Sequence, residues 1–254
     1  MSITAEQLAA IMPSATELLS DEPEMETSLH AFQLRLLVNI LEWHWRDRDD
    51  FFIGDNLTIY FSREQLKTQE FRGPDFFLVK NTERRHRTSW VVWEESKTPD
   101  LIIELLSDRT ADIDREIKKE IYETRLRTTE YFWFSPQTGE FAGFRLVAGQ
   151  YREIELDNRG WRWSEALNLY LGPHDRLLRY FTSEGALVSA PDEEAIQAIE
   201  EVRLERQRAE QERQFAMQEW QRAEQERQRA EQQQQRAELF ATKLRELGVD
   251  PNAL

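Results

Sequence analysis

Glu104 stands in the middle of Leu101-Ile102-Ile103-Glu104-Leu105-Leu106, a run apolar on both faces of the kind that forms an interior strand. An ionised carboxylate there is costly unless a cation, a metal ion or a hydrogen-bond donor pairs with it. Asp75 poses the same question one strand earlier. In Gly73-Pro74-Asp75-Phe76-Phe77-Leu78-Val79 a carboxylate sits where an extended pre-proline turn enters an apolar strand. The third element is Asp114-Arg115-Glu116-Ile117-Lys118-Lys119-Glu120-Ile121-Tyr122. Helical spacing puts Asp114, Lys118 and Tyr122 on one stripe, with Ile117 and Ile121 on an adjoining core-facing stripe. Lys118 then lies beside the buried face and Lys119 further round. Each has a simpler account when taken alone: a salt bridge or a water-facing strand end for Glu104, a turn aspartate bonded to backbone amides for Asp75, a snorkelling surface lysine for Lys118.

Together, two strand carboxylates and a lysine on the following helix are what metal-assisted phosphodiester hydrolysis needs. Oxygen ligands suit Mg²⁺, which keeps several waters and binds through one or two carboxylates plus substrate phosphate. The ion polarises the phosphoryl oxygen and acidifies a bound water. A nearby lysine can orient that water and stabilise charge on the transferring phosphorus.

Other chemistries are excluded or weak. There is no cysteine, so disulfides, thiolate metal sites and cysteine nucleophiles are ruled out. The nine glycines form no phosphate-binding loop. The four histidines (His30, His44, His86, His174) have no zinc spacing. Asp55, in the polar break Gly54-Asp55-Asn56, is a further acidic candidate, although a bulge or turn explains it more cheaply. Arg84-Arg85-His86-Arg87 could touch a nucleic-acid backbone, but a solvated charged loop is the simpler account.

The elements that must position these residues read as mixed α/β. His30 to Trp45 has helical periodicity, with His30, Leu34, Leu37, Val38, Leu41 and Trp45 on one face. Strands are expected at Phe51 to Phe61, Asp75 to Lys80, Ser89 to Trp93 and Leu101 to Leu106. A helix follows at Asp112 to Leu126, then strands at Glu130 to Phe134, Phe141 to Val147 and Tyr151 to Leu156. This order predicts a central mixed β-sheet flanked by helices.

The chain has 254 residues, with 40% hydrophobic and 11% aromatic residues, so a substantial packed core is expected. The net charge is −15, so tight binding of nucleic acid through the bulk surface is not expected. Such a role needs a local basic cluster or a divalent cation. No apolar run approaches the ~20 residues that span a bilayer, and the N-terminus lacks the pattern of a secretory signal. A cytoplasmic protein is the expectation.

Composition changes near Pro191. Residues 1–190 are expected to form the folded domain, residues 191–247 a long charged helix or weak coiled coil, and residues 248–254 a flexible C-terminus. The second segment is Glu, Gln, Arg and Ala repeating every seven residues, Arg208 to Gln214 recurring at Arg222 to Gln228. Glu-to-Arg pairs three apart (Glu205/Arg208, Glu219/Arg222, Glu226/Arg229) support a helix on the order of 80 Å long. One heptad position is apolar throughout: Val202, Ala209, Ala216, Ala223, Ala230, Ala237, Leu244. Its partner position reads Glu205, Glu212, Glu219, Glu226, Gln233, Phe240, Leu247, a thin seam beside the two filled positions a stable coiled coil wants. Self-association through this helix and a solitary helix stay open as alternatives. Phe215 and Trp220 are the large anchors in its middle.

Residues 20 to 190 resemble the family of proposed restriction endonucleases also called Uma-two, within the broad PD-(D/E)xK nuclease superfamily. The matching pieces are Pro74-Asp75 before a strand, Pro99-Asp100-Leu101-Ile102-Ile103-Glu104-Leu105-Leu106-Ser107, Asp114 with Lys118 and Tyr122, and Glu130-Tyr131-Phe132-Trp133. The long C-terminal tail is similar to tails on a subgroup of these proteins. The resemblance implies a restriction-endonuclease-like α/β fold and a Mg²⁺-dependent endonuclease acting on nucleic acid, DNA favoured. Asp75 and Glu104 would hold the metal, with the Leu105 carbonyl as a further ligand. Leu106 stands where the superfamily usually has its lysine, and the resemblance moves that role to Lys118. His30 matches a His or Gln position of the family. It would assist water activation or contact phosphate, and a buried core histidine is the equal alternative. Arg127-Thr128-Thr129 replaces the usual Gly-containing turn, and Ser135 stands where an Asp usually precedes Pro136. The competing functional class is a catalytically degenerate nuclease fold serving as an interaction or oligomerisation module.

Overall fold

The computed structural model describes residues 18–20, 27–62, 73–107 and 113–246. The chain divides into two compact units, Met1–Pro191 and Asp192–Leu254. Of the expected segments 1–190, 191–247 and 248–254, residues 1–17 of the first and the whole of the last lie outside the described residues.

The first helix, α1 (Ser28–His44), is capped by Thr27, whose hydroxyl accepts from the His30 amide at 3.2 Å. It buries His30, Gln33, Leu34, Leu37, Ile40 and Leu41. Strands β1 (Phe51–Asp55), β2 (Ile59–Tyr60), β3 (Phe76–Lys80) and β4 (Trp90–Val91) follow, then the helical turn α2 (Val92–Glu95) and β5 (Leu101–Leu105). The long strand expected from Phe51 to Phe61 is broken at Asn56, which takes φ 47°, a left-handed conformation that asparagine tolerates. That break sends Ile59 and Tyr60 to a separate parallel pair with Trp90 and Val91. Next come a π-helical turn Ile113–Lys118, the α-helical turn α3 (Lys119–Ile121) and a second π-helical turn Tyr122–Leu126.

After this segment come β6 (Glu130–Phe134), β7 (Phe141–Val147), β8 (Gln150–Glu153), β9 (Arg162–Ser164), β10 (Leu169–His174) and β11 (Leu177–Phe181). The six-stranded sheet has the order β1-β3-β5-β6-β7-β8. It is antiparallel except where the helical segment carries the chain from β5 to a parallel β6, as a crossover must. The expected central mixed sheet is thus observed. The three-stranded sheet β11-β10-β9 was not anticipated from sequence.

Alternation along the strands gives two cores. On one face Phe76, Leu78, Leu101, Ile103, Leu105, Phe132 and Phe134 pack with Leu34, Leu37, Ile40 and Leu41 of α1 and with Leu169, Leu171, Leu178 and Tyr180. Gln33 joins these layers by bonding both backbone groups of Leu178, at 3.1 and 2.9 Å. On the other face Phe77, Val79, Ile102, Leu106, Tyr131 and Trp133 pack with Tyr122 and Leu126.

The helical segment corrects one expectation. Ile117, assigned to a core-facing stripe, is exposed, and Tyr122 and Leu126 are buried instead. The inward stripe runs through Lys118, Tyr122 and Leu126, and Ile121 of the expected stripe is partly buried against the same core. Arg127 closes the segment in the left-handed region at φ 52°, its amide bonded to the Tyr122 carbonyl. It adopts the conformation that usually favours glycine.

The second unit contains α4 (Pro191–Glu246), 56 residues and about 84 Å long at about 1.5 Å per residue. Proline at its start and Asp192, Glu193 and Glu194 in its first turn suit a helix N-terminus. Glu224 and Glu231 flank Arg227 at 3.2 and 3.7 Å. Ile196, Ile199, Val202, Phe215, Met217 and Trp220 are exposed along it. Among the described residues no helix is long and apolar enough to cross a membrane.

Candidate active site

The antiparallel register of β3 and β5 pairs Phe76 with Ile103 and Phe77 with Ile102. One further step sets Asp75 opposite Glu104, and directly opposed residues point to the same face of a sheet. The backbone bonds agree: the Asp75 amide donates to Glu104 Oε2 at 3.3 Å, and the Leu105 amide donates to Asp75 Oδ2 at 2.7 Å. Each carboxylate is therefore anchored beside the other's strand.

Glu104 has no solvent exposure. Its burial is tolerated because Lys118 Nζ lies 2.9 Å from Oε1 and the Tyr122 hydroxyl donates to the same oxygen at 2.6 Å. Both donors come from the helical segment on that face. The ammonium side chain keeps 15% exposure, so this ion pair opens toward solvent at one end only. Lys119 does point elsewhere. Its ammonium sits 3.6 Å from the Phe144 ring centre, and burial holds its pKa below the usual lysine value against the opposing fields of Glu123 and Glu153.

His30 approaches from the α1 side of the sheet. It is 2% exposed, with Nε2 3.1 Å from the Leu106 carbonyl oxygen and 3.3 Å from Gln137 Oε1. It reaches the end of β5, and its partners are a backbone carbonyl and an amide. The Leu105 side chain lies in the core on the α1 side, and its amide serves Asp75. The side chain of Asp114 lies outside the described residues.

Asp55 is not brought to this cluster. It pairs in register with Phe76, whose side chain belongs to the α1 face, opposite to that of Glu104. Asp55 ends β1 exposed, yet partial desolvation of its carboxyl, reinforced by the negative field of Glu42, pushes it above the ordinary value.

The basic run is committed to carboxylates. Arg84 reaches Glu42 at 3.3 Å, and Arg85 reaches Glu95 at 2.7 Å. Arg87 is buried, bidentate on Glu95, and stacked over Phe52 and Trp90. It is thus part of the core edge and no solvated loop residue.

Two other acids in the sequence motifs have structural partners. Asp100 Oδ2 accepts from the Lys80 amide at 2.7 Å, extending the β3 ladder. Glu130 is fully buried and accepts from Arg145 Nε and Nη2 at 3.0 and 2.9 Å, from the amides of Glu165 and Ala166, and from the Ser164 hydroxyl. It ties β6 to the turn after β9.

Sequence reasoning quoted Tyr122 without giving it a role. Its spacing four residues after Lys118 on the same stripe was the available signal. Gln137 gave no signal, because it meets His30 across 107 positions of sequence.

Among the described residues no group of three or more His, Asp or Glu is arranged to hold a metal ion. The donor set at Asp75 and Glu104 nonetheless fits a hard divalent cation in kind and number, since Mg²⁺ takes one or two carboxylates and completes its shell with water and phosphate. A cation already stands at this carboxylate, in the form of the Lys118 ammonium.

Residues 10–172 match the model of the Uma2 family, described as "Putative restriction endonuclease". Among solved structures, the chain is similar to a "putative nuclease belonging to DUF820" from Anabaena variabilis, at 13% identity and a TM-score of 0.41, over 57% of this chain and 76% of that one. No curated protein matches.

Proposed function

Because the chain belongs to the Uma2 family, we propose that it is a Mg²⁺-dependent endonuclease that hydrolyses phosphodiester bonds of nucleic acid, DNA by preference. The observation that carries this reading is the opposition of Asp75 and Glu104 across β3 and β5, with Lys118 Nζ on Glu104 at 2.9 Å. Asp75 and Glu104 would hold the ion, with the Leu105 carbonyl as a further backbone ligand. When bound, Mg²⁺ supplies charge neutralisation at the phosphoryl oxygen and lowers the pKa of a coordinated water. Lys118 orients the attacking water and stabilises charge developing on the phosphorus. His30 fixes the end of β5 through the Leu106 carbonyl and so positions the Glu104 strand. The ion also answers the electrostatic problem of a chain carrying −15, since it offsets repulsion where phosphate must approach.

The test is cleavage of supercoiled DNA, single-stranded DNA and RNA at low salt, with Mg²⁺ titrated against the native protein and Asp75→Ala. Mg²⁺-dependent cleavage by the native protein and its loss in the variant is the expected result. Absence of metal-dependent cleavage of every substrate defeats the reading.

A second reading is favoured by the exposed Ile196, Ile199, Val202, Phe215, Met217 and Trp220 on α4. In it the helix is a docking or self-association arm on a domain of 1–190, and the nuclease fold itself is an interaction module. Deleting residues 192–254 then changes the molecular mass in solution or the capture of partners. Unchanged behaviour in both discards it.

A further inference from the structure

Two donors converge on a single oxygen of Glu104. The Tyr122 hydroxyl and the Lys118 ammonium both meet Oε1, at 2.6 and 2.9 Å, and Oε2 is turned to the Asp75 amide at 3.3 Å. A carboxylate on an isolated strand position rotates about its last bond, and an oxygen engaged by two donors cannot turn away without losing both. The phenol is the better fixed of the two. Tyr122 is fully buried, edge-on to Tyr131 at 5.2 Å between ring centres, whereas the lysine stem is flexible and partly solvated.

We infer that Tyr122 is the positioning residue of this site: its hydroxyl holds Oε1 of Glu104 so that Oε2 faces Asp75 and the pair presents a preformed seat for a divalent cation. The inference rests on the metal-binding reading given above and deepens it. When Lys118 is drawn toward a substrate phosphate or water, the Tyr122 hydroxyl still holds Oε1 of Glu104. The phenol donates to the charged form of the carboxylate and therefore supports it as a ligand, in the way a partner behind a metal ligand fixes its orientation.

The experiment measures Mn²⁺ and Mg²⁺ affinity of the full chain by calorimetric titration for the native protein, Tyr122→Phe and Glu104→Gln. Tyr122→Phe retains the ring packing and removes only the hydroxyl. Its ion affinity is expected to fall about tenfold, within the range for loss of such a partner, and Glu104→Gln is expected to abolish binding. If Glu104→Gln abolishes binding and Tyr122→Phe leaves the affinity within twofold of native, the role of Tyr122 is overturned and the metal site stands. If the native protein binds neither ion, or Glu104→Gln binds like native, the metal reading falls and this role falls with it.

Should Tyr122→Phe fail to fold, the native chain labelled with meta-fluorotyrosine answers instead. One of its six tyrosine signals must shift in step with ion saturation and lose that shift in Glu104→Gln. Six unmoved signals overturn the inference.

Discussion

Lys118→Met removes the ammonium from a fully buried carboxylate while keeping the length of the side chain. The Nζ to Oε1 separation of 2.9 Å corresponds to about 6 kcal/mol of attraction at an effective dielectric of about 20. Desolvation cancels part of it, and breaking one side of a buried pair typically costs about 3–5 kcal/mol. The Tyr122 hydroxyl still donates to Oε1 at 2.6 Å, which places the expected loss at the lower end, about 3 kcal/mol. For a unit of the size of Met1–Pro191 that lowers Tm by about 6–12 °C. Adding Glu104→Gln removes the stranded charge, so the double variant should recover about 2 kcal/mol relative to additivity.

A divalent cation at Asp75 and Glu104 should also rescue Lys118→Met more than it stabilises the native chain. At a hundredfold excess over Kd the gain is about 2.7 kcal/mol. Urea denaturation of the four proteins, with and without Mg²⁺, measures every term. A loss below about 1 kcal/mol for Lys118→Met, or strict additivity in the cycle, refutes the claim that Glu104 depends on Lys118 as its counter-ion.

Three further outcomes follow from particular contacts. Glu130→Ala leaves the Ser164 hydroxyl and two backbone amides without this acceptor and takes one of the two carboxylates from Arg145, which keeps Glu165, and should cost about 1–3 kcal/mol in denaturant unfolding; a loss under about 1 kcal/mol contradicts its role as the tie between β6 and the β9 turn. The exposed Asp55 has a raised pKa in the folded protein from partial desolvation and Glu42, so the ionised group mildly destabilises the fold above that pKa. The penalty is relieved as pH falls through it and is gone below the unfolded value near 3.8. Asp55→Asn should therefore be more stable than native at neutral pH, with the difference vanishing in acid, and thermal melts across pH that run parallel would disprove this. Gly73→Ala would set its Cβ 2.2 Å from the Leu57 carbonyl oxygen, an atom that cannot swing aside. The shift required two residues before Asp75 should cost about 1–3 kcal/mol and reduce metal-dependent cleavage, and unchanged Tm and cleavage would show that the backbone there is freer than this packing implies.

The continuous apolar run around Glu104, the pre-proline entry to Asp75 and the four-residue spacing of Lys118 and Tyr122 were all legible in the sequence, because they are local properties of one strand or one helix. So were α1, the strand–helix–strand order around β5 and β6, and the long α4, each written in periodicity and in the placement of Pro and Gly. The register that sets Asp75 against Glu104 was not legible, since it is fixed by how β3 and β5 pair. The convergence of two donors on one carboxylate oxygen depends on where the helical segment crosses the sheet. The π-turns and the exposure of Ile117 escaped the pattern, because an α-helical period was assumed where the observed turns are wider. His30 met the Leu106 carbonyl and Gln137 only through the packing of α1 on the opposite face, and Asp55 was drawn away by the same logic of alternating faces. Local patterning selects the elements and their buried sides, whereas the partners of a buried charge are chosen by contacts between distant segments, and only the folded chain brings those together.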